Sequence, residues 1–161
     1  MKIAIDTNIL LDILVEDPEF AEQSKQLLDF YQIHSLSICP VVYAELLFQF
    51  NKSFSVTAEK ECDAFLQTCG IKIVDFEKID FIRASSAWSS VAKKTTVECP
   101  SCGHTNTFHC TSCKSLVQWR NHILSDHLIG AHAENHSDIL LTRAIGFFSG
   151  KFKVKVMSKL R

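Results

Sequence analysis

Short apolar segments that alternate with helical segments constrain the fold of this chain more than any other feature. Five segments have the length and apolar character of buried strands: residues 2–5, 36–39, 71–76, 139–142 and 152–156. Apolar residues recur at helical spacing in the intervening chain, within residues 9–14, 17–33, 40–50, 57–69, 79–91 and 116–136. Parallel strands need crossover connections of this kind, so the pattern predicts an α/β fold with a mostly parallel sheet flanked by helices.

Length and charge limit the classes of protein to which the chain can belong. Its 161 residues have the size of one domain, which we take as residues 1–161. The 17 Lys and Arg residues balance 18 Asp and Glu residues, and a net charge of −1 excludes nucleic-acid binding driven by overall positive charge, although not by a local patch. No apolar run reaches the ~18 residues of a membrane span, and no secretory signal is found, so we expect a cytoplasmic protein with no membrane partner.

Two Cys-x-x-Cys pairs interrupt the alternating pattern. Cys99 and Cys102 form the first pair, and Cys110 and Cys113 form the second after seven intervening residues. Four thiolates can surround one Zn²⁺ and leave no open position, so we predict a structural zinc in a small zinc-ribbon-like loop, residues 97–115, inserted between two helices. Two disulfides or a redox-active pair are the alternatives, but neither explains two matched pairs in a segment without a core of its own. The other three cysteines are predicted to be small core residues, namely Cys39, Cys62 and Cys69.

Three acidic residues are spread over the rest of the chain. Asp6 ends the first predicted strand, Glu45 lies in the helix at 40–50, and Asp126 lies in the helix that ends near residue 136. For any one of them taken alone, the ordinary interpretation is a surface residue between core positions. Carboxylates gathered at the end of a strand repel one another unless cations intervene, and hard oxygen ligands select Mg²⁺ or Mn²⁺.

Four short segments, in this order, resemble the motifs of PIN-domain nucleases. They are DTNILL at residues 6–11, YAEL at 43–46, SDHLIGAHA at 125–133, and LLTR at 140–143 followed by the two phenylalanines at 147 and 148. No single motif is decisive, but the set spans almost the whole chain, with the cysteine loop as its only interruption. At this length the chain resembles the toxin of a VapBC-type toxin–antitoxin pair.

The resemblance implies a five-stranded parallel sheet and a metal-dependent endoribonuclease. Asp6, Glu45 and Asp126 are then the catalytic acids that bind Mg²⁺ or Mn²⁺, and Asn8 and Thr142 support them through hydrogen bonds. The partners that it implies are an RNA substrate, a cognate antitoxin protein and a second copy of the chain in a homodimer.

One position departs from the pattern of that family. Its members usually carry a fourth acid two residues after the Thr of the last motif, where this chain has Ala144. Asp138 is close in sequence, but it precedes the last motif's strand and is expected at the opposite end of the sheet. Ala144 is either an introduced Asp→Ala substitution that silences a toxic nuclease, which we favour, or the mark of a naturally weakened member.

Histidines and basic residues near these motifs allow two further interpretations. His132 and His136 are four residues apart on a predicted helix and could share a face, but no third metal ligand at suitable spacing is apparent. We therefore interpret them as ordinary partly buried or surface histidines. Arg120, Arg143 and Lys151 either lie on solvated faces or form a local basic rim that holds an RNA backbone.

The competing function is a non-catalytic module. In this alternative Ala144 is native, the acidic cleft is vestigial, and the zinc loop binds RNA or a protein partner.

Overall fold

A five-stranded parallel sheet forms the centre of the computed structural model, which describes residues 1–90, 97–98, 104–116 and 125–160. The strands in chain order are β1 (Lys2–Ile5), β2 (Ser35–Ile38), β3 (Ile71–Ile73), β4 (Val97–Glu98), β5 (Thr105–Asn106), β6 (Ile139–Leu141) and β7 (Lys155–Met157). The large sheet has the order β3-β2-β1-β6-β7, and all of its neighbouring strands are parallel. The predicted α/β fold with five parallel strands is therefore confirmed.

Helices connect the strands and cover the sheet. They are α1 (Thr7–Leu14), α2 (Ala21–Tyr31), α3 (Pro40–Phe54), α4 (Ala58–Thr68), α5 (Lys78–Ser89), α6 (Ser125–His136) and α7 (Ile145–Phe148), with a 3₁₀ turn at Ser55–Thr57. The closest helix pairs are α1 with α2, α3 with α4, and α5 with α6. Within the described ranges, no helix combines the length and the apolar character needed to cross a bilayer.

The core lies along the middle strands, because both faces of β1 and β6 are covered. Ile3, Ile5, Leu140 and Leu141 are almost completely buried, as expected for a parallel sheet with helices on both sides. Register fixes which strand ends meet. Ala4 of β1 lies opposite Ser37 of β2 and Leu140 of β6, so the carboxyl ends of these three strands share one edge of the sheet.

A close approach between α6 and the chain after α7 depends on glycine. A Cβ atom built on Gly130 would lie 2.4 Å from the Cε2 atom of Phe152, whose ring is itself buried. That separation is far below van der Waals contact. Gly130 therefore allows α6 to pack directly on Phe152, and this contact fixes the position of the helix.

Two predicted strands have different bounds in the structure. The strand expected at 71–76 ends at Ile73, because the chain then turns into α5, where Glu77 and Asp80 exchange hydrogen bonds in a capping box. The strand expected at 152–156 begins only at Lys155. Phe152 alternates with apolar residues as a strand residue would, but its N–H donates to the Phe148 carbonyl and its ring belongs to the core.

Two predicted helix starts were also wrong. Asp17 does not begin α2: its carboxylate accepts from the N–H groups of Glu19 and Phe20 in a turn, and the helix starts at Ala21. Thr57 does occupy the predicted N-cap position of α4, although its side chain makes no capping hydrogen bond. The helix predicted from residue 116 is not helical there, because Leu116 pairs with His109 in an antiparallel bridge, and the described helix begins at Ser125.

Candidate active site

The carboxyl edge of the sheet gathers the three acids that the sequence singled out. Asp6 follows β1 directly and caps the N-terminus of α1, Glu45 lies on α3, and Asp126 lies in the first turn of α6. The negative charges of Glu45 and Asp126 both act on the carboxyl group of Asp6, and Glu45 also acts on Asp126. The fold thus brings together acids that are separated by up to 120 positions in the sequence.

Hydrogen bonds from both ends of the chain hold the Asp6 carboxylate. Its Oδ1 accepts from the Thr7 N–H at 2.8 Å. Its Oδ2 accepts from the Thr142 hydroxyl at 2.6 Å and from the Asn8 side-chain amide at 2.5 Å. Asn8 also donates to the Thr142 hydroxyl at 3.1 Å and accepts from the Arg143 N–H at 3.0 Å, so α1 and the segment after β6 are joined through these side chains.

Thr7 is a site residue that sequence reasoning missed. Its N–H donates to Asp6 and its hydroxyl donates to Glu45 Oε2, so one residue contacts two of the three acids. Thr7 stood out in the sequence only as part of a turn. Its position immediately after the capping acid, at the first residue of a helix, is the signal that could have found it.

Burial and like charge raise the pKa values of two of these acids. Burial is the largest cause for Asp6, which is 4% exposed, and the charges of Asp126 and Glu45 add to it. The hydrogen bonds from Thr142 and Thr7 act in the opposite direction, and the pKa of Asp6 is raised to about 6. Burial and Glu45 likewise raise the pKa of Asp126, against the opposing charge of Lys151.

The donor set fits a hard divalent cation. Three carboxylates offer oxygen atoms as ligands, and the charges of Asp126 and Glu45 add to burial in raising the pKa of Asp6. Oxygen ligands of this kind suit Mg²⁺ or Mn²⁺ rather than a soft metal. A cation bound by Asp6, Glu45 and Asp126 would balance this charge.

Ala144 lies at the same edge, two residues after Thr142. It is exposed, it immediately precedes α7, and its N–H donates to the Thr142 hydroxyl at 3.0 Å. Asp138 lies at the other edge, as expected: its carboxylate accepts from the Lys2 N–H at 2.7 Å, where β1 begins. Asp138 therefore does not replace the acid that position 144 lacks.

The basic residues near the site are engaged in contacts of their own. The Arg143 guanidinium pairs with Asp12 at 2.9 Å and lies over the Phe20 ring, 4.2 Å from its centroid. The Lys151 ammonium donates to the Phe147 carbonyl at 3.1 Å and acts electrostatically on Asp126. Arg120, which was considered for the same basic rim, lies outside the described residues.

The histidine pair on α6 has a third partner that the sequence did not reveal. His132 and His136 stack with their ring centroids 4.4 Å apart, and Asp80 of α5 lies beside both. Asp80 is 52 residues from His132, so no local spacing could point to it. The sequence offered no third candidate ligand at suitable spacing, and the structure places Asp80 beside both histidines.

The cysteine loop is described in part. β4 and β5 pair as an antiparallel ribbon, and the Cys110 N–H donates to the Ser115 carbonyl at 2.8 Å in a tight turn. Hydrogen bonds with Ser115 and then with the Cys110 thiol lower the pKa of Cys113 to about 7. Cys99 and Cys102 lie outside the described residues, so the four-cysteine zinc site stays a prediction. Cys39 and Cys62 are buried in the core, as predicted, and Cys69 packs against it half-buried.

The fold and the acid cluster define an α/β domain with a candidate cation site at the carboxyl edge of its sheet. Residues 3–99 match the PIN domain family, and the chain belongs to that family. This match includes Asp6 and Glu45, and it ends before Asp126. A comparison with curated protein sequences finds no match.

Solved structures with the same fold include three VapBC structures. VapBC2 from Rickettsia felis, bound to a DNA fragment from its promoter, is similar with a TM-score of 0.63 and 20% identity over 98% of each chain. DNA-bound VapBC from Salmonella typhimurium has a TM-score of 0.61 and 16% identity, over 98% of this chain and 97% of that one. VapBC-1 from nontypeable Haemophilus influenzae has the same TM-score and coverage at 14% identity. At these identities the likeness shows the fold.

Proposed function

We propose that this PIN domain is a Mg²⁺- or Mn²⁺-dependent endoribonuclease. The observation that carries the proposal is the convergence of the buried Asp6 with the partly buried Glu45 and Asp126 on one site, where their like charges act on one another. A bound cation would offset the repulsion between these three carboxylates. A bound divalent cation supplies an activated water and balances the charge that develops on a phosphodiester during in-line attack.

The chain's own residues hold this site in a fixed geometry. Thr142 and Asn8 orient the Asp6 carboxylate from one side, and Thr7 links it to Glu45. These bonds leave the carboxylate with less freedom to turn away from a ligand. Catalysis by small nucleases of this kind depends on such preorganised charge.

Position 144 determines how complete the site is. An aspartate there would stand at the same edge as Asp6 and add a fourth negative charge for cations. Ala144 supplies no such charge, so we expect weak cation binding and low nuclease activity in the unsubstituted protein. We favour an introduced Asp→Ala change, because the residues that flank position 144 still resemble the family motif: Thr142 and Arg143 before it, and Gly146, Phe147 and Phe148 after it.

The biological role that we propose is that of a toxin in a VapBC-type pair. The similar solved structures are VapBC and FitAB complexes, which supports a cognate antitoxin as partner. RNA as the substrate, a homodimer and a cytoplasmic location are further parts of the proposal. A structural Zn²⁺ held by Cys99, Cys102, Cys110 and Cys113 in the inserted loop, residues 97–115, completes it.

The test compares RNA cleavage by the unsubstituted protein and by Ala144→Asp, with Mg²⁺ or Mn²⁺ and with a chelator. We expect Ala144→Asp to cleave RNA only with the metal, and Asp6→Ala in that background to abolish cleavage. Asp138→Ala is the matched control, since this acid lies at the other edge of the sheet and should leave cleavage unchanged. Equal activity with and without the acid at 144 would contradict the role we assign to that position.

A non-catalytic module is the second candidate, and the alanine at 144 is the observation that favours it. This alternative predicts that both forms bind RNA or a protein partner without cleavage, with or without metal. The same assay therefore separates the two functions.

A further inference from the structure

Asp80, His132 and His136 form a polar cluster between α5 and α6, apart from the acidic site. Their ligand atoms, one from each residue, all lie within 4.8 Å of one another. Asp80 is fully buried and His132 is 1% exposed. Buried polar groups of this kind normally have their hydrogen-bonding capacity satisfied, so any atom that does not is informative.

His132 contains such an atom. Its Nε2 is buried and has no hydrogen-bond partner among the described residues. The backbone of Val74 and Asp75 hydrogen-bonds the same imidazole. A backbone carbonyl that holds one ring nitrogen in its N–H form leaves the other nitrogen with a free lone pair, which is the usual arrangement of a histidine that binds a metal.

Asp80 is oriented by three donors and still has acceptor capacity. Its Oδ2 accepts from the Glu77 N–H at 2.8 Å and contacts His136 Nε2 at 2.9 Å. Its Oδ1 accepts from the Asn135 side-chain amide at 2.6 Å. Each carboxylate oxygen can accept two bonds, so Oδ1 retains a site for a further partner. The amide and the backbone N–H would keep the carboxylate in place as a metal ligand.

We infer that Asp80, His132 and His136 bind a Zn²⁺ ion that ties α5 to α6. Two imidazoles and one carboxylate are a ligand set typical of zinc, with bonds of about 2.0–2.2 Å. Tetrahedral ligands at that distance are roughly 3.3 Å apart, close to the 2.9 Å between His136 Nε2 and Asp80 Oδ2. Zinc would replace that hydrogen bond and would give the unpartnered Nε2 of His132 a ligand role.

The His136–Asp80 ion pair alone is the alternative explanation. It accounts for these two residues, but it leaves the buried Nε2 of His132 without a partner. The three-residue site accounts for all three. His136 is partly exposed, so a fourth coordination position can be reached by water.

This site differs from the acidic site in place and in role. His132 follows Asp126 by six residues on the same helix, which is about 9 Å along the axis. Zinc bound there would hold the C-terminal half of α6 against α5 and thereby support the helix that carries Asp126. The inference stands whether or not the protein is a nuclease.

The experiment counts zinc ions in the full chain after equilibration with Zn²⁺ and removal of excess metal. We expect His132→Gln to bind one ion fewer per chain than the unsubstituted protein. His127→Gln is the matched control, because His127 lies on the same helix and is equally buried but outside the cluster. Zinc bound by the cysteine loop would contribute equally to all three proteins, so it would not change the difference in zinc ions per chain.

His136→Gln keeps the test valid if His132→Gln does not fold, since His136 is partly exposed. It should also lose one ion per chain, and added Zn²⁺ should raise its Tm by less than that of the unsubstituted protein. Equal zinc content in the unsubstituted protein and either folded cluster variant would overturn the inference. So would an equal loss of zinc in His127→Gln.

Discussion

The two ends of α6 carry polar clusters whose carboxyl pKa values are shifted in opposite directions. At the N-terminal end, Asp126 faces Glu45 and Asp6, and like charge together with burial raises carboxyl pKa values. At the other end, burial would raise the pKa of Asp80, but hydrogen bonds from Asn135, the Glu77 N–H and His136 outweigh it, and the pKa is lowered. Hydrogen bonds thus outweigh the effect of burial on the carboxyl pKa at the Asp80 end, whereas at the Asp6 end burial is the largest cause of the raised pKa and like charge adds to it.

This difference indicates that the acidic cluster at Asp6 lowers the stability of the fold, whereas the cluster at Asp80 does not. Acids that a protein gathers without neutralising them lower the stability of the fold and are usually kept for binding or catalysis. Acids whose ionised form is stabilised by hydrogen-bond donors contribute to stability. The comparison can be tested through the pH dependence of unfolding, because the two cases have opposite signs.

The largest expected effect concerns Asp6. Burial and the neighbouring acids raise the pKa of Asp6 in the folded state from its ordinary value of 3.8 to about 6, so the folded state is favoured while Asp6 is protonated, and this stability is lost as pH rises from about 4 through 6. The difference of about 2 pKa units corresponds to about 3 kcal/mol. In chelator, the free energy of unfolding of the unsubstituted protein should fall over this pH range relative to that of Asp6→Asn, as measured by urea denaturation.

Asp138→Asn provides the control, since it makes the same change at the opposite edge of the sheet and should not remove this pH dependence. Mg²⁺ should reduce the loss of stability above pH 6. A free energy of unfolding with the same pH dependence in Asp6→Asn and in the unsubstituted protein would show that Asp6 is not strained in the folded state.

The contribution of Asp80 to the free energy of unfolding should have the opposite pH dependence, which Asp80→Asn tests. A lowered folded pKa gives stability that is present above the unfolded pKa and is lost as pH falls through the folded value. We therefore expect the substitution to destabilise the protein by about 2 kcal/mol near pH 7, the scale of hydrogen bonds to a charged group, and by less near pH 3. Urea denaturation in chelator at both pH values measures this, and a larger effect at the lower pH would contradict the balance described for this end of α6.

Gly130 lies between the two clusters, and its substitution by alanine should give the smallest change in the free energy of unfolding. Gly130→Ala gains about 1 kcal/mol of helix propensity but forces its Cβ into the Phe152 ring, which costs roughly 1–3 kcal/mol. We expect a net destabilisation of about 1 kcal/mol that is partly relieved by Phe152→Leu in a double-mutant cycle. Gly146→Ala, which meets no atom within 4 Å, is the control and should not destabilise. Additive effects of the substitutions at 130 and 152 would show that the two residues do not restrict each other.

Some of this molecule follows from its sequence and some does not. The strands and the positions of Asp6, Asn8 and Thr142 could be predicted, because each lies in a local motif attached to a strand end. Phe152 could not be assigned correctly, since an apolar residue next to a strand fits the alternating pattern in two cases. It fits whether its backbone pairs within the sheet or only its side chain packs in the core. Asp80 was missed because its role depends on the packing of α5 against α6, which no spacing along the chain expresses.

The hydrogen bonds of the Thr142 hydroxyl limit what a substitution at position 144 can change. It donates to Asp6 and accepts from both Asn8 and the Ala144 N–H, so its one proton and two lone pairs are all used. The backbone at 144 is held by that bond whatever side chain it carries. Under the proposed function, cutting and non-cutting forms of the protein would therefore share one backbone, and a single codon change would be enough to pass from one to the other.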